Sequence, residues 1–76
     1  MAKSNKKVLL ELANRIKTLR EERNLTQAIC YDDTGINFSR IERGVRDVSF
    51  TTLLRISKYF KIPLKVFIGD TFDDFI

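Results

Sequence analysis

Residues 25–44, LTQAICYDDTGINFSRIERG, decide the fold of this chain. Thr26 is a good N-cap for a helix over residues 27–31, and the two aspartates that follow favour a turn and are expected to end it. A further short helix then leads to Gly44, a residue type that commonly terminates helices. The stretch therefore predicts two short helices joined by a turn, the arrangement of a helix-turn-helix unit.

The segment before this stretch is a longer amphipathic helix. Its apolar residues recur at helical spacing: Leu9, Leu12, Ala13, Ile16 and Leu19. We predict a helix from about Lys7 to Arg23, with Ser4 or Asn5 as its cap. Asn24 can adopt the left-handed conformation that ends a helix.

The segment after it predicts two more helices. Ser49 is a suitable N-cap, and a broad apolar stripe follows, formed by Phe50, Leu53, Leu54, Ile56, Ser57 and Phe60. Pro63 suits the first turn of a short fifth helix over residues 64–68, which Gly69 closes. No strand-like alternation is present, so we expect an all-α, compact five-helix bundle.

Charge and composition narrow the functional classes. The net charge is +4, and residues 1–46 hold ten Lys and Arg against six Asp and Glu, whereas residues 47–76 hold four of each. A local basic excess favours a polyanionic partner. The chain has one cysteine and no histidine, which argues against a disulfide framework, a zinc site and common catalytic chemistry. We expect no enzyme activity, cofactor or small-molecule ligand, no membrane segment, and a cytoplasmic location.

Two blocks resemble the phage-repressor (Cro/repressor-type) family of helix-turn-helix proteins. RIKTLREERNLTQ (residues 15–27) is similar to that family's first helix and the start of its second. SRIERG (residues 39–44), continuing through SFTTLLRISK (residues 49–58), is similar to its third and fourth helices. The resemblance implies a lambda-repressor-like bundle over residues 8–68, between a basic arm (residues 1–7) and an acidic, apolar tail (residues 69–76). The implied partner is double-stranded DNA.

The chain is about three residues shorter than the family pattern between Gln27 and Ile41. If the spacing of the family pattern is counted back from Glu42, the cap of helix three falls at Thr34. If it is counted forward from Gln27, the cap falls at Asn37. We favour Thr34, because a start at Asn37 leaves only about six residues for the recognition helix, against about nine.

The expected DNA-contacting residues fall into two groups. In the recognition helix, Asn37 and Arg40 have side chains that read adenine and guanine, Ser39 shares their face, and Ile36 either touches a thymine methyl or packs on helix two. The alternative for this face is solvation, or phosphate contact alone. By resemblance, four residues clamp the DNA backbone: Thr26, Gln27, Arg43 and Arg46.

Other conspicuous residues have structural interpretations. The resemblance implies that Arg20 and Glu42 form a partly buried ion pair between helices one and three, rather than a catalytic pair. Phe38 and Ile41 are three residues apart and are expected to face the core, as is Cys30.

The C-terminal end is rich in large apolar side chains that need cover: Phe67, Ile68, Phe72, Phe75 and Ile76. They either pack on their own domain or form a contact between two copies across a twofold axis. We expect a homodimer that binds a near-palindromic operator as a transcriptional repressor or autoregulator. The alternative function is an antitoxin-like or other protein-interaction module that uses this apolar end.

Overall fold

The computed structural model describes residues 2–69, with side chains from Lys6 onward. Within this range the chain forms five α-helices and no strand: α1 (Ala2–Glu22), α2 (Gln27–Thr34), α3 (Phe38–Ile41), α4 (Phe50–Tyr59) and α5 (Leu64–Ile68). The radius of gyration is 11.9 Å, close to the value of about 11 Å expected for a compact domain of this length. The predicted all-α class and the number of helices are confirmed for the described residues.

The first helix is longer than predicted at its N-terminal end. α1 begins at Ala2 instead of near Lys7, so Ser4 and Asn5 lie within the helix and do not cap it. Residues 2–7, expected as an arm, continue the helix backbone because Ala and Lys favour helix and no breaker interrupts them. At the other end Asn24 has φ 56°, the predicted left-handed conformation.

α2 begins at its predicted cap but ends later than predicted. The Thr26 hydroxyl accepts a hydrogen bond from the Ile29 amide at 3.1 Å. The aspartates at positions 32 and 33 do not break the helix, because Tyr59 of α4 donates its hydroxyl to the Asp33 carboxylate at 2.6 Å. The helix ends instead at Gly35, which has φ 75° and donates its amide to the Tyr31 carbonyl.

α3 is shorter than predicted, and its N-cap is Asn37 instead of Thr34. The Asn37 side chain accepts a hydrogen bond from the Arg40 amide at 3.0 Å. Thr34 is unavailable as a cap because its hydroxyl donates to the Cys30 carbonyl at 2.7 Å and accepts from the Ile36 amide at 3.0 Å. Both bonds close the C-terminal end of α2, so α3 starts late and has a single turn.

Gly44 ends the turn after α3 and lies against α1. Its φ is 72°, and its amide donates to the Ile41 carbonyl at 3.0 Å. A Cβ atom at this position would lie 2.8 Å from Leu10 Cδ2 and 3.3 Å from Leu10 Cα. Glycine is therefore required both by the backbone conformation and by the close approach of α1.

The core lies where α1, α2, α3, α4 and α5 meet. Its buried members are Leu12, Ile16, Leu19, Cys30, Ile36, Phe38, Ile56, Phe60 and Phe67. Cys30 and Phe38 are fully buried, and Ile41 is half-buried and packs against the core cluster, as predicted. Burial raises the pKa of the Cys30 thiol, as is expected for a structural cysteine.

The last two helices start as predicted. The Ser49 hydroxyl accepts a hydrogen bond from the Thr52 amide at 3.2 Å, and Pro63 is the N-cap of α5. Phe50, assigned to the apolar stripe of α4, is 63% exposed, because it lies at the first position of the helix, outside the buried cluster. Between Ala2 and Gly69, no helix combines the length and the apolarity needed to cross a membrane.

Candidate nucleic-acid interface

Arg20 and Glu42 form the predicted ion pair between α1 and the end of α3. Arg20 Nε donates to Glu42 Oε2 at 2.8 Å and Nη2 donates to Oε1 at 2.9 Å. Only 11% of the Arg20 side chain and 4% of the Glu42 side chain are exposed. The hydrogen bond to Glu42 raises the pKa of Arg20, so its guanidinium group stays protonated. This bidentate geometry holds α1 and α3 in a fixed relation.

The ion pair also positions the start of α2. Arg20 Nη1 donates to the Leu25 carbonyl at 2.8 Å, just before the helix begins. Gln27 Nε2 donates to Glu42 Oε1 at 2.9 Å. Gln27, predicted as a clamp on the DNA backbone, is thus half-buried and held by Glu42.

An open groove lies beside this ion pair, between α1, the start of α2 and α3. We call it the first groove; it is lined by Lys17, Arg20, Glu21, Asn24, Leu25, Thr26, Gln27, Ser39, Glu42 and Arg43. Since Arg20 and Glu42 neutralise each other, the exposed charges at its edge are those of Lys17, Glu21 and Arg43. α2 also begins at this groove, and the Gln27 and Ala28 backbone amides of its first turn have no hydrogen-bond partner among the described residues. Free amides at a helix N-terminus favour anions.

A smaller groove adjoins the first between α2 and α3. This second groove is lined by Gln27, Ala28, Tyr31, Asn37, Phe38 and Ser39. Gln27 and Ser39 line both grooves, so the two form a continuous surface. Five residues assigned to DNA contact from the sequence meet on this surface: Thr26, Gln27, Asn37, Ser39 and Arg43.

Arg40 and Arg46 line neither groove but are exposed, like Arg43. Among the described residues, none of these three guanidinium groups makes a side-chain hydrogen bond or an ion pair. Their charges are therefore not neutralised within the described part of the fold. Asn37 is exposed, although its Oδ1 atom caps α3, which leaves its amide nitrogen available to donate.

Ile36, one of the candidates for base contact, belongs to the core. Its side chain is 7% exposed and lies in the buried cluster that includes Phe38. Of the two alternatives for Ile36, packing within the domain is the one observed. α3 starts late, and Ile36 therefore lies in the connection between α2 and α3. A buried isoleucine cannot present a methyl group to DNA, and we remove it from the set of candidate contacts.

The candidate dimer contacts divide in a similar way. Phe67 is fully buried in its own domain, so its assignment to a contact between copies is wrong. Ile68 is half-buried and packs against the same core. Phe72, Phe75 and Ile76 lie outside the described residues. The exposed apolar side chain of α5 is Val66, which is 49% accessible.

Two residues on this surface, Lys17 and Tyr31, were not singled out from the sequence. Lys17 lies three positions before Arg20, so helical spacing places the two on one face of α1. Tyr31 lies four positions after Gln27 and shares its face of α2. Both residues lie within helices that the sequence predicts, so helical spacing could have identified them.

Comparisons of the chain with protein-family models, curated proteins and solved structures return no match. What the surface can do must be inferred from its own residues. The first groove offers two exposed cations, Lys17 and Arg43, one exposed acid, Glu21, and the free amides at the start of α2. The second offers amide, hydroxyl and aromatic side chains. Apart from the acid, these are groups that bind phosphate oxygens and the edges of bases.

Proposed function

We propose that this protein is a sequence-specific DNA-binding transcriptional regulator of the lambda-repressor-like helix-turn-helix type, acting as a repressor or autoregulator in the cytoplasm. α2 and α3 are its helix-turn-helix, with α3 presented to the major groove. Arg43 and Arg46, together with Thr26 and Gln27 at the start of α2, contact the phosphate backbone.

The observation that supports this proposal most is the convergence of polar residues from α2 and α3 on one continuous surface that also includes Arg43, whose guanidinium group binds no other described side chain. The Arg20–Glu42 pair fixes the relation between the helices that form it. A rigid, cationic and donor-rich surface of this kind favours a polyanion with ordered acceptors, and duplex DNA is such a partner.

The decisive experiment is selection of bound sequences from a random duplex pool with the wild-type protein, at moderate salt. We expect enrichment of a short motif, and competition by that motif well beyond random duplex of equal length. Random and selected DNA that compete equally would contradict sequence-specific binding.

Homodimerisation is part of the proposal, because one short recognition helix gives a half-site little information and two copies double it. The contact is expected to involve residues 70–76 and the exposed Val66 of α5. Sedimentation equilibrium of the wild type and of Val66→Asp tests this. A wild-type dimer that the substitution converts to a monomer of unchanged helical content is expected. A monomeric wild type at high micromolar concentration would contradict it.

A further inference from the structure

α3 presents few side chains to a partner. Of its four residues, Phe38 is fully buried and Ile41 is half-buried against the core, which leaves Ser39 and Arg40 exposed. Four residues at 1.5 Å each make a helix about 6 Å long, whereas one base-pair step along DNA is about 3.4 Å. A reading surface made of α3 alone would span fewer than two steps.

α2 supplies an apolar surface beside this short helix. Tyr31 is 54% exposed and lines the second groove together with Asn37 and Ser39. Ala28, three residues earlier, is also exposed and lines the same groove. The core does not account for Tyr31, because the tyrosine that packs against Phe38 is Tyr59, with ring centroids 6.3 Å apart.

The end of α2 that bears Tyr31 is held firmly. The Tyr31 carbonyl accepts the Gly35 amide at 2.7 Å. From α4, Arg55 donates to the Thr34 carbonyl and Tyr59 donates to the Asp33 carboxylate. The connection from α2 to Asn37 thus has a fixed geometry, and a binding surface built on rigid elements loses little conformational entropy on contact.

We infer that the base-reading surface is composite, with Tyr31 and Ala28 of α2 acting beside Asn37 and Ser39 of the α3 end. The inference rests on the proposed function and specifies the operator further. The ring of Tyr31 and the methyl of Ala28 are the exposed apolar groups of the second groove, above the buried Phe38 that also lines it. The apolar group that DNA presents in its major groove is the C5-methyl of thymine. Each operator half-site contains a thymine whose methyl group packs on Tyr31.

The first measurement uses the wild-type protein and needs no variant. Each thymine of the selected operator is replaced in turn by uracil, which removes only the methyl group. One position per half-site is expected to weaken binding about five- to tenfold, which corresponds to roughly 1–1.4 kcal/mol. If no uracil replacement changes the affinity more than twofold, the inference is overturned.

The second measurement assigns that methyl contact to Tyr31. Tyr31→Ala is expected to weaken binding about tenfold and to abolish the uracil effect, whereas Tyr31→Phe retains the ring and the uracil effect. Phe50→Ala, an exposed aromatic truncation in α4 outside both grooves, is the matched control and is expected to leave both unchanged. An undiminished uracil effect in Tyr31→Ala, or its loss in Tyr31→Phe, overturns the inference.

The two proposals fail in different ways. A wild type without sequence preference overturns the proposed function and, with it, the composite surface. A wild type that binds its operator and is weakened by Arg40→Ala, but not by Tyr31→Ala, retains the proposed function and overturns the composite surface alone.

Discussion

The arginines at the helix junctions and the arginines on and after α3 differ in what their guanidinium groups bind. Arg15 donates to the Phe67 and Val66 carbonyls at 2.9 Å each, across the end of α5. Arg23 donates to the Leu19 and Phe60 carbonyls, and its guanidinium carbon lies 5.1 Å from the centre of the Phe60 ring. These arginines serve as helix C-terminal partners and are not available to a ligand.

The second group shows the opposite behaviour. Arg40, Arg43 and Arg46 are exposed and bind no other described side chain. The excess of basic residues in the N-terminal half therefore overstates the charge available to a partner, since Arg15, Arg20 and Arg23 of that half are bound within the fold. The role of an arginine is therefore indicated better by whether its guanidinium group is bound within the fold than by the half of the sequence in which it lies.

Arg20→Ala tests the difference between the internally bound and the exposed arginines, and we expect it to have the largest effect on stability. The substitution leaves the Glu42 carboxylate, only 4% exposed, with Gln27 as its remaining side-chain partner. We expect the free energy of unfolding, measured by urea denaturation, to fall by about 3 kcal/mol, because a stranded buried charge is costly. Removing both partners, in Arg20→Met with Glu42→Leu, should recover most of the loss. If the free energy of unfolding of Arg20→Ala falls by less than about 0.5 kcal/mol, Arg20 behaves like the exposed arginines and the prediction is wrong.

Arg40→Ala is expected to change binding and not stability. Its guanidinium group is exposed, so the free energy of unfolding should remain within about 0.5 kcal/mol of the wild type. Operator binding should weaken by about 1–3 kcal/mol, with relaxed preference at one base position per half-site. Denaturation and competition titrations on the same preparations separate the two effects. A stability loss equal to the binding loss would contradict the assignment.

Arg43→Ala and Arg46→Ala are expected to have a smaller and less selective effect. Phosphate contacts position the protein without reading sequence, so selected and random duplexes should weaken alike. The slope of log K against log salt should become less steep by about 0.9 for each lost phosphate contact. Lys58→Ala removes an exposed charge from α4 outside both grooves and is the matched control. An unchanged salt slope in both arginine variants would remove them from the DNA surface.

The smallest effect concerns Tyr59, an uncharged donor between α2 and α4. The hydrogen bond to Asp33, followed by desolvation, raises the pKa of Tyr59. A raised folded-state pKa adds stability that is fully present below the unfolded value of about 10 and is lost as pH rises above it. The difference in unfolding free energy between the wild type and Tyr59→Phe should therefore shrink above about pH 10. A constant difference up to pH 11 would contradict the bond.

Local chemistry was sufficient to predict much of the fold. Thr26 and Ser49 cap their helices because a short hydroxyl side chain can accept a hydrogen bond from a first-turn amide whatever the tertiary structure around it. Asn24 adopts the left-handed conformation for a similarly local reason. The Arg20–Glu42 pair was predicted by a different route, from the resemblance of two separated blocks.

The start of α3 could not be decided in this way, since Thr34 and Asn37 are both competent caps. Thr34 is occupied by bonds at the end of α2, and α2 extends that far because Tyr59 and Arg55 hold it from α4. The sequence alone indicates no partner 21 or 26 residues away for these groups.

For the described residues, the sequence by itself determined the all-α class, the order of the five helices and the N-caps of α2 and α4, because spacing and capping act over three or four residues. Only the tertiary structure decided which candidates are exposed. Ile36 and Phe67 were assigned to surfaces and are buried, whereas Tyr31 was passed over and is exposed. The exposure of a side chain depends on whether another helix packs over it. A single turn such as α3 also has too few residues for its periodicity to indicate which of its faces is buried.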